Sequence, residues 1–312
     1  MKTSKIIFLI TIIIVLTACK KEEEINRTDN AVKLGIDLPG SIQNPAFSPD
    51  GKTIVFTHFR KGYNKIPSDL YTFNLETKVL KPLVVDGNSN VNLPGECWND
   101  NLNSIIFSSE RDPHDEVFYI SETGTTGDET QITSRTDSVA FEPTFSPDGQ
   151  WIVFESHKYD EEKNGMVVKY KLDGSSGYIY LTSFGEDCKQ PNWAPAGDKI
   201  LYQKEENGQW DIWIMDTDGS NKTKITNFEG SKTDAAFTHD GQSIIFSSEN
   251  SETELANIYK VSISGGSPVR LTNYSGYDGA PSISPDGKTL IFESTDKDPD
   301  KSKGASLWML NL

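Results

Sequence analysis

Few residues of the kinds that build enzyme centres or disulfide frameworks occur in this chain. Its 312 residues include 3 cysteines and 4 histidines. No Cys-x-x-Cys pair, His-Glu-x-x-His run or Gly-x-Ser-x-Gly turn is present, which removes the common zinc and serine-nucleophile motifs. The sequence therefore predicts no catalytic centre of a familiar kind.

Positive charge is also scarce. There are 30 Lys and Arg residues against 46 Asp and Glu residues, which gives a formal net charge of −16. This balance argues against binding of nucleic acid or anionic lipid headgroups through charge, because both need a basic surface. It suits solubility and a cationic partner or divalent ions.

One long apolar run occurs, and it lies near the N-terminus. Lys2 and Lys5 precede the nearly unbroken run Ile6–Leu16. The run is too short to span a bilayer comfortably and has the length of the apolar part of a secretion signal. It ends in Leu-Thr-Ala-Cys, which resembles the bacterial lipoprotein signal, so we expect a signal peptide over 1–18 and lipid attachment at Cys19. An ordinary signal peptide with an incidental cysteine is the alternative.

A charged segment follows the predicted lipidation point. The run Lys20–Glu24 is typical of a solvated tether, which we place over 19–31. It also resembles a signal that directs some bacterial lipoproteins to the outer cell surface. We therefore expect a protein that is lipid-anchored in the bacterial outer membrane. Its cell-surface and periplasmic orientations both remain open.

One segment is repeated along the rest of the chain. Its six copies begin at positions 47, 98, 145, 193, 237 and 283, at steps of 51, 47, 48, 44 and 46 residues, and each copy ends nine positions later in an aromatic residue. The clearest copies are Phe47–Phe56, Phe145–Phe154 and Ile283–Phe292, which share Ser-Pro-Asp-Gly. Repeats of this length with strand-like content predict four strands per repeat and a closed ring.

Each repeat has the same order of local signals. Ser-Pro-Asp-Gly is typical of a tight turn, with Pro where φ is fixed and Gly where φ is positive. Segments rich in β-branched and aromatic residues follow, such as Ile54–Phe56, and a fourth segment usually ends in Ile-Thr or Leu-Thr. No long segment has a helical period. The predicted fold class is all-β, a six-bladed β-propeller of four-stranded blades.

The N-terminal strand is predicted to close the ring. The sixth repeat reaches Leu312 directly after its third strand, while Val32–Leu34 resembles the fourth-strand segment Val269–Leu271. We expect Val32–Leu34 to complete the last blade, because an open ring would expose unpaired strand edges. The propeller then covers 32–312. A simple linker at this place is the alternative.

The repeats resemble the TolB-type, WD-like propeller family, over essentially the whole mature chain. The resemblance implies a periplasmic or cell-surface binding scaffold with an envelope protein or glycan as partner. We expect a monomer attached to the membrane through its lipid and without a nucleic-acid partner. The additional α/β domain of TolB is not expected here.

The predicted binding site is one mouth of the central channel. Aligned residues just before the innermost strands include Asn44, Glu142, Gln190 and Asp234, with Asp278 nearby. Their carboxylates and amides suit a divalent cation such as Ca²⁺, which prefers oxygen ligands, and equally suit a Lys or Arg from a partner. No other cofactor is predicted. A hydrated polar mouth without a ligand is the alternative.

An enzyme remains the alternative function. His58 and His157 occupy the same position in two repeats, and His114 lies in the corresponding loop of a third. A metal or acid–base cluster would need these imidazoles to converge, whereas independent loop residues would not. Oligogalacturonate lyases combine a related propeller with a histidine-rich metal centre, so a polysaccharide lyase or hydrolase acting in the channel stays open.

The two remaining cysteines are predicted to be free thiols. Cys97 and Cys188 belong to the second and fourth repeats, so a whole blade separates them. A disulfide needs Cα atoms within about 7 Å of each other. We therefore expect two unpaired and mostly buried thiols.

Overall fold

Six antiparallel sheets arranged as blades make up the protein, as seen in a computed structural model that describes residues 27–111, 114–161, 163–249, 255–295 and 304–312. None of these residues forms a helix, so none provides a helix that could cross a membrane. The predicted signal peptide, Cys19 and the tether as far as residue 26 lie outside the described residues. The predicted six-bladed, all-β propeller is confirmed.

The first three blades contain the following strands, given from the channel outward. Blade one consists of β2 (Ser41–Phe47), β3 (Thr53–Phe59), β4 (Ser68–Asn74) and β5 (Leu80–Val84). Blade two consists of β6 (Val91–Asn92), β7 (Trp98–Asn99), β8 (Ser104–Ser109), β9 (Glu116–Ser121) and β10 (Thr130–Gln131). Blade three consists of β11 (Phe141–Phe145), β12 (Trp151–Ser156), β13 (Met166–Lys171) and β14 (Ile179–Tyr180).

The other three blades repeat the pattern. Blade four consists of β15 (Cys188–Trp193), β16 (Lys199–Glu206), β17 (Gln209–Asp216) and β18 (Thr223–Lys224). Blade five consists of β19 (Lys232–Phe237), β20 (Ser243–Glu249), β21 (Ala256–Ser262) and β22 (Val269–Arg270). Blade six consists of β23 (Tyr277–Ile283), β24 (Thr289–Thr295), β25 (Ser306–Asn311) and β1 (Val32–Lys33).

The core lies between neighbouring blades and is built around the aromatic residue that closes each repeat. These six residues have no exposed surface. They are Phe56, Phe107, Phe154, Tyr202, Phe246 and Phe292. Phe56 packs in one cluster with Ile291 and Leu307, which joins blade one to blade six. The regular nine-position spacing thus places one large buried aromatic side chain in every blade, and burial of these side chains stabilises the propeller.

The N-terminal strand closes the ring as predicted. Val32 pairs with Met309 and Lys33 with Trp308, so β1 is the outer strand of blade six. The Leu34 amide donates to the Leu307 carbonyl at 2.8 Å. Contacts with blade six begin earlier in the chain than predicted, because Arg27 already pairs with Tyr274.

The Ser-Pro-Asp-Gly turns all lie at one end of the channel, which we call the lower opening. In blade one the Ser48 hydroxyl donates to Asp50 at 2.7 Å, and Gly51 has a φ of +70°. The loops between the second and third strands of each blade lie at the opposite end, which we call the upper opening. Antiparallel strands make this division necessary, since alternate connections must fall at opposite ends.

Both cysteines are buried and free. Cys97 and Cys188 have no exposed surface and form no disulfide. This agrees with the prediction from their separation along the repeats.

Candidate functional site

Each innermost strand is interrupted at the same place, about halfway down the channel. The residues at this place have positive φ, between +45° and +53° at the five non-glycine positions and +100° at the glycine. They are Asn44, Gly95, Glu142, Gln190, Asp234 and Ala280. In every blade the pairing register shifts or breaks at this residue, as in a β-bulge. Bulges re-aim side chains, and here they direct one residue per blade toward the axis.

Four of the five predicted site residues line a single cavity. This upper cavity has a volume of about 480 Å³ and is reached from the upper opening. The four are Asn44, Glu142, Gln190 and Asp234, and all are partly buried. Their placement together agrees with the sequence alignment of the repeats, while their role in binding stays a prediction.

Hydrogen bonds connect these residues from blade to blade. The Gln190 side-chain amide donates to Glu142 at 2.9 Å and to Asp234 at 3.2 Å. In return, the Asp234 backbone amide donates to Gln190 Oε1 at 3.0 Å, and the Ala280 amide donates to Asp234 Oδ2 at 3.3 Å. The bulges therefore place their backbone donors as well as their side chains in the cavity wall.

A similar series of hydrogen bonds connects blades six, one and two. Glu293 accepts the Asn44 backbone amide at 3.1 Å and the Tyr63 hydroxyl at 2.8 Å. The Asn44 side-chain amide donates to Asn92 at 2.8 Å. Between Asn92 and Glu142 no hydrogen bond among the described residues completes the ring.

Glu142 lies at this gap in the ring of hydrogen bonds. Its Oε2 atom is buried and has no hydrogen-bond partner in the described part of the chain. Burial, and then the negative charge of Glu155, raises the pKa of Glu142 to about 8. A carboxyl group in this position lacks one partner and would be stabilised in its charged form by a cation.

The cavity wall as a whole carries an excess of acidic groups. Four carboxyl groups line it, those of Glu142, Asp234, Glu249 and Glu293, against one amine, that of Lys189. The Lys189 ammonium lies 3.9 Å from the centre of the Trp210 ring. Burial, and then the charge of Asp234, raises the pKa of Glu293 to about 7. The cavity therefore favours a positively charged ligand group.

Sequence reasoning did not identify Glu293, although a signal was available. Glu293 directly follows the closing aromatic of its repeat, and the residue at that position is polar in all six repeats. These residues are Thr57, Ser108, Glu155, Gln203, Ser247 and Glu293. Tyr63, by contrast, lies in a loop without a repeat counterpart, so no periodic signal marks it.

Asp278 is not at the channel mouth, contrary to the prediction. Glu293 pairs with Gly279 and lines the cavity, so the neighbouring Asp278 faces the other side of the sheet. There it is fully buried and forms an ion pair with Arg27. Burial raises the pKa of Asp278 even with this partner. Its role in the structure is to hold the N-terminal segment.

His58, which lies in β3, and the loop residues His114 and His157 have different contacts. His58 Nε2 lies 2.5 Å from the Pro39 carbonyl, and His157 Nδ1 lies 3.3 Å from Glu155. The centre of the His114 ring lies 3.9 Å from that of Tyr159, with the two ring planes tilted by 50°. None of the described residues that line the upper cavity is a histidine. Among the described residues, no group of three or more His, Cys, Asp or Glu is arranged to hold a metal ion.

Comparison with known proteins identifies the same propeller family as the sequence repeats. The TolB beta propeller domain family matches residues 123–305. The Tol-Pal system protein TolB of Francisella tularensis subsp. mediasiatica is 28% identical over 187 residues, which cover 60% of this chain and 41% of that protein. The chain thus matches less than half the length of this curated relative.

Solved structures share the fold at low identity. The crystal structure of TolB from Acinetobacter baumannii is 18% identical, with a TM-score of 0.62, over 88% of this chain and 64% of that chain. An oligogalacturonate lyase in complex with manganese is 14% identical, with a TM-score of 0.58, over 91% of this chain and 98% of that chain. At these identities the likeness concerns the propeller alone.

Proposed function

The chain belongs to the TolB beta propeller domain family, and from that membership we propose that it is a lipid-anchored, non-catalytic scaffold of the cell envelope. It binds a partner at the upper opening of the ring. The partner is an envelope protein that inserts a Lys or Arg side chain into the upper cavity. A glycan is the alternative partner.

The observation that carries this proposal is the excess of acidic over basic groups in the wall of the upper cavity. Four carboxyl groups face one lysine there, and one Glu142 oxygen has no partner among the described residues. An ammonium or guanidinium group would supply the missing donor and offset the excess negative charge. A polypeptide partner provides such groups readily, whereas most neutral glycans do not.

The separate positions of the described histidines support binding without turnover. The histidines are distributed over separate blades with separate contacts. General acid–base chemistry needs groups within hydrogen-bond reach of one reacting centre. Release of unsaturated sugar from an acidic polysaccharide, dependent on His58 or His157, would contradict the non-catalytic part of the proposal.

The location rests on the sequence signal and on the family. Cys19 lies outside the described residues, so lipid attachment is carried by the Leu-Thr-Ala-Cys segment alone. The matched relatives bear the name Tol-Pal system protein TolB, which supports a place in the cell envelope. Stable anchoring to a membrane needs more than one acyl chain, as a lipoprotein modification would supply.

Capture of partners from native membranes tests the proposal. We expect the wild-type protein to retain a partner that Glu142→Gln with Asp234→Asn retains at least about tenfold less well, because a cation in the cavity loses two charge partners. The matched control is Glu76→Gln with Asp37→Asn, which removes the same charge from exposed residues. Equal retention by both double variants would contradict the proposed site.

A further inference from the structure

The lower opening leads into a second cavity with a different character. This lower chamber has a volume of about 410 Å³. Its wall includes the first residue of every repeat copy, five of them aromatic. These residues are Phe47, Trp98, Phe145, Trp193, Phe237 and Ile283. The chamber is within the size range of small-molecule sites, and its wall combines aromatic rings with polar side chains.

The carboxyl group of Glu96 lies deep in this chamber. Glu96 belongs to the segment that separates β6 from β7, where the innermost strand of blade two is interrupted. Ser282 of blade six donates a hydrogen bond to its Oε1 atom at 3.4 Å. Blade one lies between blades two and six, so Glu96 reaches past a neighbouring blade into the channel.

The propeller does not need an acidic residue at this position. Glu96 directly follows the bulge residue Gly95, and the equivalent residue is Pro or Ala in the other five repeats. These are Pro45, Pro143, Pro191, Ala235 and Pro281. Among the described residues that line the chamber there is no Lys or Arg, so no cation offsets the Glu96 charge.

One polar atom of the wall, the Trp193 Nε1 donor, has no partner among the described residues. Trp98 Nε1 donates to the Ala46 carbonyl at 3.4 Å, whereas the equivalent Trp193 Nε1 is buried and has no acceptor among the described residues. An indole donor without an acceptor and a carboxylate without a cation in one chamber are typical of a site that a ligand completes.

We infer that the lower chamber binds an alkylammonium group, whose charge pairs with Glu96 and whose methylene chain lies against the aromatic rings. Aromatic rings attract cations through their electron-rich faces, and a carboxylate adds a direct ion pair. The same chemistry is present in a free primary amine and in a lysine side chain. This site is separate from the upper cavity and does not depend on the proposed function.

Binding of the alkylammonium group should become stronger as pH rises. Burial raises the pKa of Glu96 to about 7. As pH rises through this value the carboxyl group loses its proton, so affinity for a cation should increase between pH 6 and pH 8.5. Asp100 and His239 are the other titratable groups of the chamber wall among the described residues.

Calorimetric titration of the full-length chain, in maltoside detergent and phosphate buffer, tests the inference. The probe is n-butylammonium, with 1-butanol as its neutral counterpart of equal size. We expect butylammonium to bind at pH 8, butanol to bind at least about tenfold less tightly, and Glu96→Gln to reduce butylammonium affinity about tenfold. The isosteric Gln retains the acceptor for Ser282, so the fold should be kept.

Glu142→Gln serves as the matched control, since it removes a carboxylate from the upper cavity instead. The Glu96-dependent binding should persist in this variant. N-acetyl-lysine amide distinguishes the two sources of the group: binding of both probes that Glu96→Gln weakens supports a lysine side chain as a ligand, and such binding of butylammonium alone supports a free amine. Absence of butylammonium binding, or binding that Glu96→Gln leaves unchanged, would overturn the inference.

Discussion

At the five non-glycine bulge positions, a residue with a side chain is held in a backbone conformation with positive φ. Asn tolerates positive φ fairly well, but Glu142, Gln190 and Ala280 are residues that rarely adopt it. Such strain persists where the surrounding structure enforces it, and it often marks functional sites. In this protein it places a ring of polar groups around the channel axis.

Ala280 allows the backbone strain to be measured separately from side-chain chemistry. We expect Ala280→Gly to leave the free energy of unfolding unchanged or to raise it by up to about 1 kcal/mol, because glycine adopts positive φ without strain. The matched control is Ala46→Gly, at a fully buried strand position, which should lower it by about 1–2 kcal/mol. Urea denaturation measures both. Equal losses in the two variants would mean that the bulge carries no strain.

Glu142 should make stability depend on pH. Its pKa is raised to about 8 from an ordinary value of 4.5, so the folded protein holds a proton that the unfolded chain releases. The resulting stability is complete below about pH 4.5 and is lost as pH rises through 8. We expect Glu142→Gln to match the wild type at pH 4 and to exceed it by about 1–2 kcal/mol at pH 9.

Chemical denaturation at both pH values measures this difference. Glu76→Gln, at an exposed position, is the control and should show no such change between the two pH values. A Glu142→Gln variant that is no more stable than the wild type at pH 9 would show that burial does not penalise the charged carboxyl group.

At the scale of strands, the N-terminal segment is held by side chains as well as by β1. The Arg27 guanidinium lies 4.5 Å from the ring centre of Tyr274 and 4.6 Å from that of Trp308, and it pairs with the buried Asp278. Arg27 is itself 5% exposed. Removal of this side chain would leave a buried carboxylate without its cation.

We therefore expect Arg27→Ala to lower the melting temperature by about 5–10 °C, which corresponds to about 3 kcal/mol. Lys33→Ala, an exposed change within β1, should alter it little. Scanning calorimetry of both variants checks the difference. The double variant Arg27→Ala with Asp278→Asn should recover part of the loss. If Arg27→Ala behaves like Lys33→Ala, the segment before β1 does not contribute to closure.

The strand order could be predicted from the sequence because each repeat carries the same short segments in the same order. Val32–Leu34 resembles Val269–Leu271, and the structure gives Leu34 and Leu271 equivalent amide hydrogen bonds, to the carbonyls of Leu307 and Ile258 at 2.8 and 2.7 Å. The divided innermost strand of blade two was not predicted. The step of 51 residues before the second copy, which is the longest, was its only sign.

The site could be predicted only in part because the direction of a side chain depends on register. The bulge residues follow from alignment of the repeats, and four of them were placed correctly beside one another. Asp278 was placed wrongly, since a shift of one position in a strand moves a side chain to the other face of the sheet. Arg27, its partner, belongs to a segment with no repeat signal.

At the scale of the whole molecule, the ring presents two different openings on one acidic body. The upper opening leads to carboxylates and amides, and the lower opening leads to aromatic rings around Glu96. A net charge of −16 favours approach of cationic partners to either end. Attachment to a membrane would determine which opening faces the partner.

Anchoring can be tested on the whole protein. We expect Cys19→Ser to abolish incorporation of a fatty-acid analogue and to release the protein from membranes, because the thiol is the predicted attachment point. Metabolic labelling and membrane fractionation measure the two effects, with Cys97→Ser as the control at a buried thiol. Equal labelling of Cys19→Ser and the wild type would contradict a lipid anchor at this residue.

The central claim, that a partner binds at the upper opening, is tested most directly by site-specific photo-crosslinking in the native envelope. A photoreactive residue is introduced at Ile66, which is 51% exposed beside the upper cavity, or at Val79, which is 58% exposed at the other end of the same blade. We expect a protein crosslink from position 66 that Glu142→Gln with Asp234→Asn removes, and none from position 79. A crosslink from position 79 alone, or one from position 66 that the double variant leaves unchanged, would contradict the account.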